Sequence, residues 1–308
     1  MALTGVLRPG YTQIRVTDMQ AAVDFYTNIL GLVETGRDDS GRVYFKAHDE
    51  RDHHCVILRL ADKPGNDFYA FKVLNQATLG ELEEKLNAYG VATERRPAGE
   101  LLETGERVRF TIPTGHVFEL YWEQTEVGDG LGYLNPPILI DNRKGISPIR
   151  LDHWQLHGAD LDGTFDLFTK VLGFTLTEKI LGEDGKTVMA VWLTCSNKAH
   201  DIAFVRDTRS DTLHHAAFLI ETWEKLLNAA DLMAKHKVFI DIGPLRHGIT
   251  RGTSIYFFDP SGNRMETFCG GYSFYPDMKP YTWTWDEVGS AIFYHTRELN
   301  ERFLTVVT

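Results

Sequence analysis

The chain repeats itself, and that repetition limits its possible folds more than any other feature. The segment DMQAAVDFYTNILGL (18–32) aligns without gaps on DLDGTFDLFTKVLGF (160–174), with five of fifteen positions identical at an offset of 142. A second pair aligns at an offset of 147: residues 70–91 on 217–238, then IPTGHVFEL (112–120) on DPSGNRMET (259–267). A fixed offset over several segments marks duplicated structural units. The shared Leu-Gly ending reads as a helix stop before a strand. In 76–89, Leu79, Leu82 and Leu86 fall on one helical face, which must cover a sheet. Alternating stretches such as Thr187–Thr194 and Ser254–Phe258, bounded by Gly-Lys, Asp-Gly and Pro-Ser-Gly turns, read as strands. The expected architecture is α+β: four βαβββ modules, two per half, with mixed sheets curved inward. The expected boundaries are an N-terminal domain at 1–135, a C-terminal domain at 146–271 and an appended arm at 272–308 rich in Tyr, Trp and Pro, with Asn135-Pro136-Pro137 in the linker.

Differences at matched positions then separate chemistry from packing. On the strand opening the second half (RLDHWQLH), Trp154 and Leu156 match Thr12 and Ile14 and are expected to face the helix, so His153 faces the opposite side. Its match is Tyr11. In LHHAAFLI (213–220), period-two alternation places His214 on the helix side and His215 on the open face, where the first half has Phe68. Glu266 matches Glu119. The second copy therefore offers two imidazoles and a carboxylate on one face, and the first offers Tyr, Phe and Glu. Two His and one carboxylate leave three adjacent coordination positions open, the arrangement of non-haem Fe(II) oxygenases.

Residues 245–266, LRHGITRGTSIYFFDPSGNRME, carry a His, seven residues, an aliphatic, Tyr, two residues, Asp-Pro-x-Gly and a terminal Glu. This run resembles the signature of the extradiol ring-cleaving dioxygenases, departing from it at Leu245. The resemblance to the catechol 2,3-dioxygenase type, within the vicinal oxygen chelate (glyoxalase-like) superfamily, extends through RPGYTQIRV, FDLFTKVLGF, KAHDIAF and the ending HTRELNERFLTVVT. It implies that His153, His215 and Glu266 bind Fe(II), that His200 in KAHD is the distal histidine titrating near working pH, and that His247 and Tyr256 are its companions. The implied reaction takes catechol, or a substituted catechol, and O2 to a 2-hydroxymuconic semialdehyde, in a homotetramer. His214, His157, His236 and His295 are read as structural. His53 and His54 are read as an exposed pair in a charged loop that could reach another subunit.

Two rivals share these modules. A metal-dependent glyoxalase- or epimerase-like isomerase often draws ligands from both copies, against which Tyr11 and Phe68 argue. A metal-free binding protein would need no inward triad. Composition narrows the partners: the formal charge of -11 and the lack of a dense Lys/Arg run exclude nucleic acid as an expected ligand. No stretch approaches a membrane span or a secretory apolar region, and Cys55, Cys195 and Cys269 have no CxxC spacing. A cytoplasmic protein is expected.

Overall fold

The computed structural model describes residues 5–128, 133–137 and 143–308; residues 1–4 and 129–132 of the expected N-terminal domain lie outside them. The first half runs β1 (Val6–Val16), α1 (Met19–Phe25), β2 (Val33–Arg37), β3 (Val43–Lys46), β4 (Val56–Leu60), β5 (Gly65–Val73), α2 (Gln76–Ala88), β6 (Thr93–Arg96), β7 (Arg107–Thr111) and β8 (Val117–Tyr121). The second repeats the order: β9 (Arg150–Gly158), α3 (Leu161–Asp166), β10 (Thr175–Leu181), β11 (Val188–Thr194), β12 (Ile202–Arg206), β13 (Thr212–Leu219), α4 (Trp223–Lys235), β14 (Ile240–Arg246), β15 (Gly252–Phe258) and β16 (Arg264–Gly270). The arm adds β17 (Tyr281–Trp283), α5 (Val288–Ile292) and α6 (Glu301–Thr305).

Each half is one mixed sheet, ordered β2-β3-β4-β1-β5-β8-β7-β6 and β14-β15-β16-β13-β9-β12-β11-β10-β17. Within a module the first strand lies parallel to the last, as β1 does to β4, and the two modules of a half meet through antiparallel first strands, β1 with β5 and β9 with β13. That junction is where the candidate ligands sit. Local chemistry explains the repeated entry into helix. Asp18 accepts from the Ala21 amide and Asp160 from the Gly163 amide, capping α1 and α3. Both helices widen into a π turn, and Gly31, at φ +84°, supplies the left-handed stop after the first.

Leu79, Leu82 and Leu86 of α2 are buried, as the periodicity requires. The apolar faces of both sheets and their helices form a single cluster: Phe71 of the first half packs on Trp154, Phe168 and Phe174 of the second, at ring separations of 5.1–6.4 Å. The copies therefore share one core rather than owning one each. The opposite, concave face of each sheet is left for other uses.

Candidate functional site

Both strands at the second-half junction carry a β-bulge. Ala217 pairs with His153 but Phe218 with Leu151, so Asp152 is the extra residue; Leu213 pairs with Leu156 but His215 with Gln155, so His214 is extra. A bulge turns two successive side chains to one side of a strand. This corrects the expectation for His214. Simple alternation places it on the helix side, whereas it lines the concave cavity beside His215, as Asp152 does beside His153. The same bulges occur at the matched positions of the first half, at Gly10 and Asp67.

On this concave face His153, His215 and Glu266 offer ligand atoms that all lie within 4.8 Å of one another, and all three are buried. The Nε2 atoms of both imidazoles lie 3.1 Å from Glu266 Oε2. The hydrogen bonds behind the rings fix their tautomers. A backbone carbonyl can only accept, so His214 donates from Nε2 to Phe303 O at 2.6 Å, and its Nδ1 accepts from His215 Nδ1 at 2.7 Å. His215 is thereby left with a bare Nε2 facing Glu266. His153 donates from Nδ1 to Asp152 Oδ2 at 3.1 Å, which turns its Nε2 towards Glu266 Oε2, also at 3.1 Å. Lys198 in turn holds Asp152, with Nζ 3.1 Å from Oδ1 and 2.9 Å from Asp201 Oδ1.

Burial lowers the pKa of His215 to about 4, keeping it neutral at neutral pH. Burial alone would raise Glu266, but His215 and His153 overcome it and hold the carboxyl well below its usual range. A neutral imidazole and an ionised carboxylate are the states that bind a divalent cation. For His153, burial is outweighed by hydrogen bonds to Asp152 and Glu266, which raise its pKa; a pocket that attracts a proton between two carboxylates attracts a metal cation for the same reason. The donor set N, N, O fits Fe(II) or Mn(II).

The companion residues gather around this cluster. The His200 ring lies 3.9 Å, centroid to centroid, from that of His153. Burial, then His153, pushes its pKa well below the ordinary imidazole range, which favours the neutral ring. Tyr256 pairs with Glu266 across β15 and β16 and donates its hydroxyl proton to His247 Nε2 at 2.9 Å, while His247 Nδ1 donates to Ile292 O at 2.5 Å. The cavity, about 580 Å³, has a polar floor of these residues and an apolar wall that includes Ile180, Met189, Trp192 and Ile249. The arm closes it with Ile292, Leu299, Phe303 and Leu304.

Sequence reasoning missed Asp152, Lys198, His214 and the arm's carbonyls. No local signal marks a bulge, and a backbone carbonyl carries no residue identity. His53 and His54 are buried rather than exposed. They plug the matching face of the first half, where the His54 ring meets Tyr11 and Tyr44 at 5.0 and 4.9 Å. There Glu119 Oε2 accepts from Tyr11 and Arg107, and Oε1 from Arg109. Both carboxylate oxygens are occupied, and Tyr44, Ile57, Phe68 and Tyr121 fill the cup.

Comparison with known proteins follows the division between the halves. Residues 66–125 match the Catechol 2,3-dioxygenase-like N-terminal domain, and residues 150–267 the Glyoxalase/Bleomycin resistance protein/Dioxygenase superfamily. A metapyrocatechase of Pseudomonas sp. (strain CF600) is 50% identical over 305 residues, 99% of each chain. A manganese-dependent 2,3-dihydroxybiphenyl 1,2-dioxygenase of Geobacillus genomosp. 3 is 27% identical over 94% of each. Among solved structures, the 2,3-dioxygenase LapB from Pseudomonas sp. KL28 superposes with a TM-score of 0.91 at 56% identity, covering 92% of this chain and 99% of that one.

Proposed function

The chain belongs to the extradiol ring-cleaving dioxygenases of the metapyrocatechase (catechol 2,3-dioxygenase) type, and from that premise we propose that His153, His215 and Glu266 hold Fe(II) while His200, His247 and Tyr256 manage the protons and charge of a bound catechol. The observation carrying this reading is the convergence of two imidazole Nε2 atoms and an ionised carboxylate, beside a neutral imidazole, at the floor of a cavity of aromatic-substrate size. When bound, the ion supplies two-point chelation of the catecholate and a position for O2. His200, neutral and 8% exposed, takes up the proton that a chelated hydroxyl loses and returns it to oxygen as the ring opens. Tyr256 can turn its hydroxyl proton from His247 Nε2 to the substrate oxygen where charge develops, leaving His247 Nε2 to accept from a substrate hydroxyl. Ile292, Leu299 and Phe303 keep water from the reacting atoms. The product is a 2-hydroxymuconic semialdehyde, and the apolar wall at Ile180, Met189 and Ile249 suits a ring substituent without charge.

In this reading residues 146–271 carry the chemistry, 1–135 form a copy without metal, and 272–308 close the cavity. A glyoxalase- or epimerase-type isomerase with ligands from both copies is disfavoured because Glu119 is fully engaged by Tyr11, Arg107 and Arg109. The reading extends to a cytoplasmic homotetramer, which light scattering checks for assembly. Reconstitution under argon with Fe(II), and in parallel with Mn(II) because one relative is manganese-dependent, followed by catechol in air, tests the assignment. Oxygen uptake with a yellow ring-opened product is expected with Fe(II); activity with Mn(II) alone would overturn the metal, and none with either across several catechols would overturn the site.

A further inference from the structure

Glu178 on β10 is 2% exposed, lies outside the metal cluster, and yet accepts hydrogen bonds from three directions. Its Oε1 receives the Thr250 amide at 2.6 Å and the Tyr272 hydroxyl at 2.9 Å; Oε2 receives Trp283 Nε1 at 2.7 Å. These donors come from three different segments: the turn after β14, the chain leaving β16, and the arm strand β17. A buried carboxylate is costly unless its oxygens are satisfied, and these are. The Thr250 bond matters most. Thr250 and Arg251 both sit at φ +57°, a left-handed conformation that residues other than glycine adopt only when their surroundings impose it.

The turn that Glu178 holds is the one that meets the arm next to His247. The amides of Gly248 and Ile249 both donate to Ala291 O, at 3.0 and 2.9 Å, and the next carbonyl, Ile292 O, accepts from His247 Nδ1. The approach is close enough that a Cβ on Gly248 would meet Ser290 O at 2.4 Å. We infer that Glu178 is a positioning residue for ring cleavage: it latches the C-terminal arm to the 248–251 turn, and through Ile292 O it fixes the ring and tautomer of His247. The inference rests on the role proposed for His247. Without the latch, the turn can relax, the arm loses its tie at Trp283, and the Ile292 carbonyl no longer dictates which His247 nitrogen accepts from Tyr256.

The test compares Glu178→Ala, Glu178→Gln and Trp283→Phe in iron-loaded enzyme, with His247→Phe alone and combined with Glu178→Ala. Glu178→Ala should keep the parent's iron content, expose Arg297 of the arm to faster trypsin cleavage, and lower kcat about tenfold at saturating catechol. Glu178→Gln, which retains one acceptor oxygen, should recover most of that loss. Adding Glu178→Ala to His247→Phe should cost little more than His247→Phe alone, because the two act on one element. Parent-like trypsin resistance and kcat in Glu178→Ala, or a fully additive double variant, would overturn the latch. Should Glu178→Ala fail to fold, Trp283→Phe removes one bond and keeps the ring; unchanged cleavage and kcat there would also overturn it. If the parent enzyme opened no catechol, the functional reading would fail while the trypsin comparison still judged the latch.

Discussion

His214 and His215 are adjacent and hydrogen-bonded, but their substitution has different consequences. His215→Ala removes a donor from the triad and is expected to yield metal-free, inactive protein. His214→Phe keeps an aromatic ring but cuts the relay from Phe303 O, so it is expected to retain the metal at roughly 10- to 100-fold weaker affinity. Metal analysis after dialysis against graded chelator checks both, and equal metal loss in the two would contradict the assignment. His200→Asn should leave metal content intact and lower turnover by about 100-fold or more, the usual worth of a positioned proton-transfer group, read by steady-state kinetics; loss of metal in that variant would show His200 to be a ligand. His153 and His215 stood out as candidates in the sequence because the two copies differ there, whereas Glu266 matches Glu119 and stood out only through its two histidine partners and the motif that ends on it. His214 and Asp152 did not, because a bulge breaks the period-two rule and leaves no trace in residue type.

The bulges belong to the element and not to the chemistry. They recur at Gly10 and Asp67 in the first half, where no metal triad is found among the described residues, so the duplicated sheet supplies two inward-facing corners in each copy and the side chains decide their use. Gly10 stands where the second half has Asp152, and a Cβ there would meet Tyr121 Oη at 2.2 Å; its absence lets Tyr121 into the cup. With Glu119 held by Arg107 and Arg109, Tyr11→His combined with Phe68→His is expected to add two imidazoles without a second metal site. Binding of a second metal equivalent by that variant, measured by calorimetric titration, would show that the carboxylate is freer than its ion pairs indicate. The helix face of 76–89 and the repeated modules were readable from periodicity and the duplication. The arm's part in walling the cavity was not, because its apolar residues Ile292, Leu299, Phe303 and Leu304 carry no periodicity that points them at the site.

The two halves share their main apolar core, and titratable groups are sealed along the seam between them. His116 of the first half bonds Thr212 O of the second at 3.1 Å, and burial lowers its pKa to about 4; His157 is lowered likewise to about 4, against the pull of Asp207. Between about 4 and the ordinary 6.5 the unfolded chain binds protons that the folded chain does not. Stability is therefore complete above pH 6.5 and declines as pH falls towards 4, by at most ~1.4 kcal/mol per pH unit for each such group. The urea midpoint of metal-free protein should be lower at pH 5 than at pH 7, and His116→Phe should flatten the dependence; equal midpoints would contradict this burial. Among the described residues no helix is long and apolar enough to cross a membrane.

Only the second copy is proposed to hold the metal and perform the cleavage. Anaerobic titration of the metal-free parent and of His215→Ala with Fe(II), each then given catechol in air, addresses it most directly. The parent should bind a single equivalent per chain and consume oxygen in step with ring-opened product, while His215→Ala should do neither. A second equivalent in the parent, or oxygen uptake by His215→Ala, would contradict the claim.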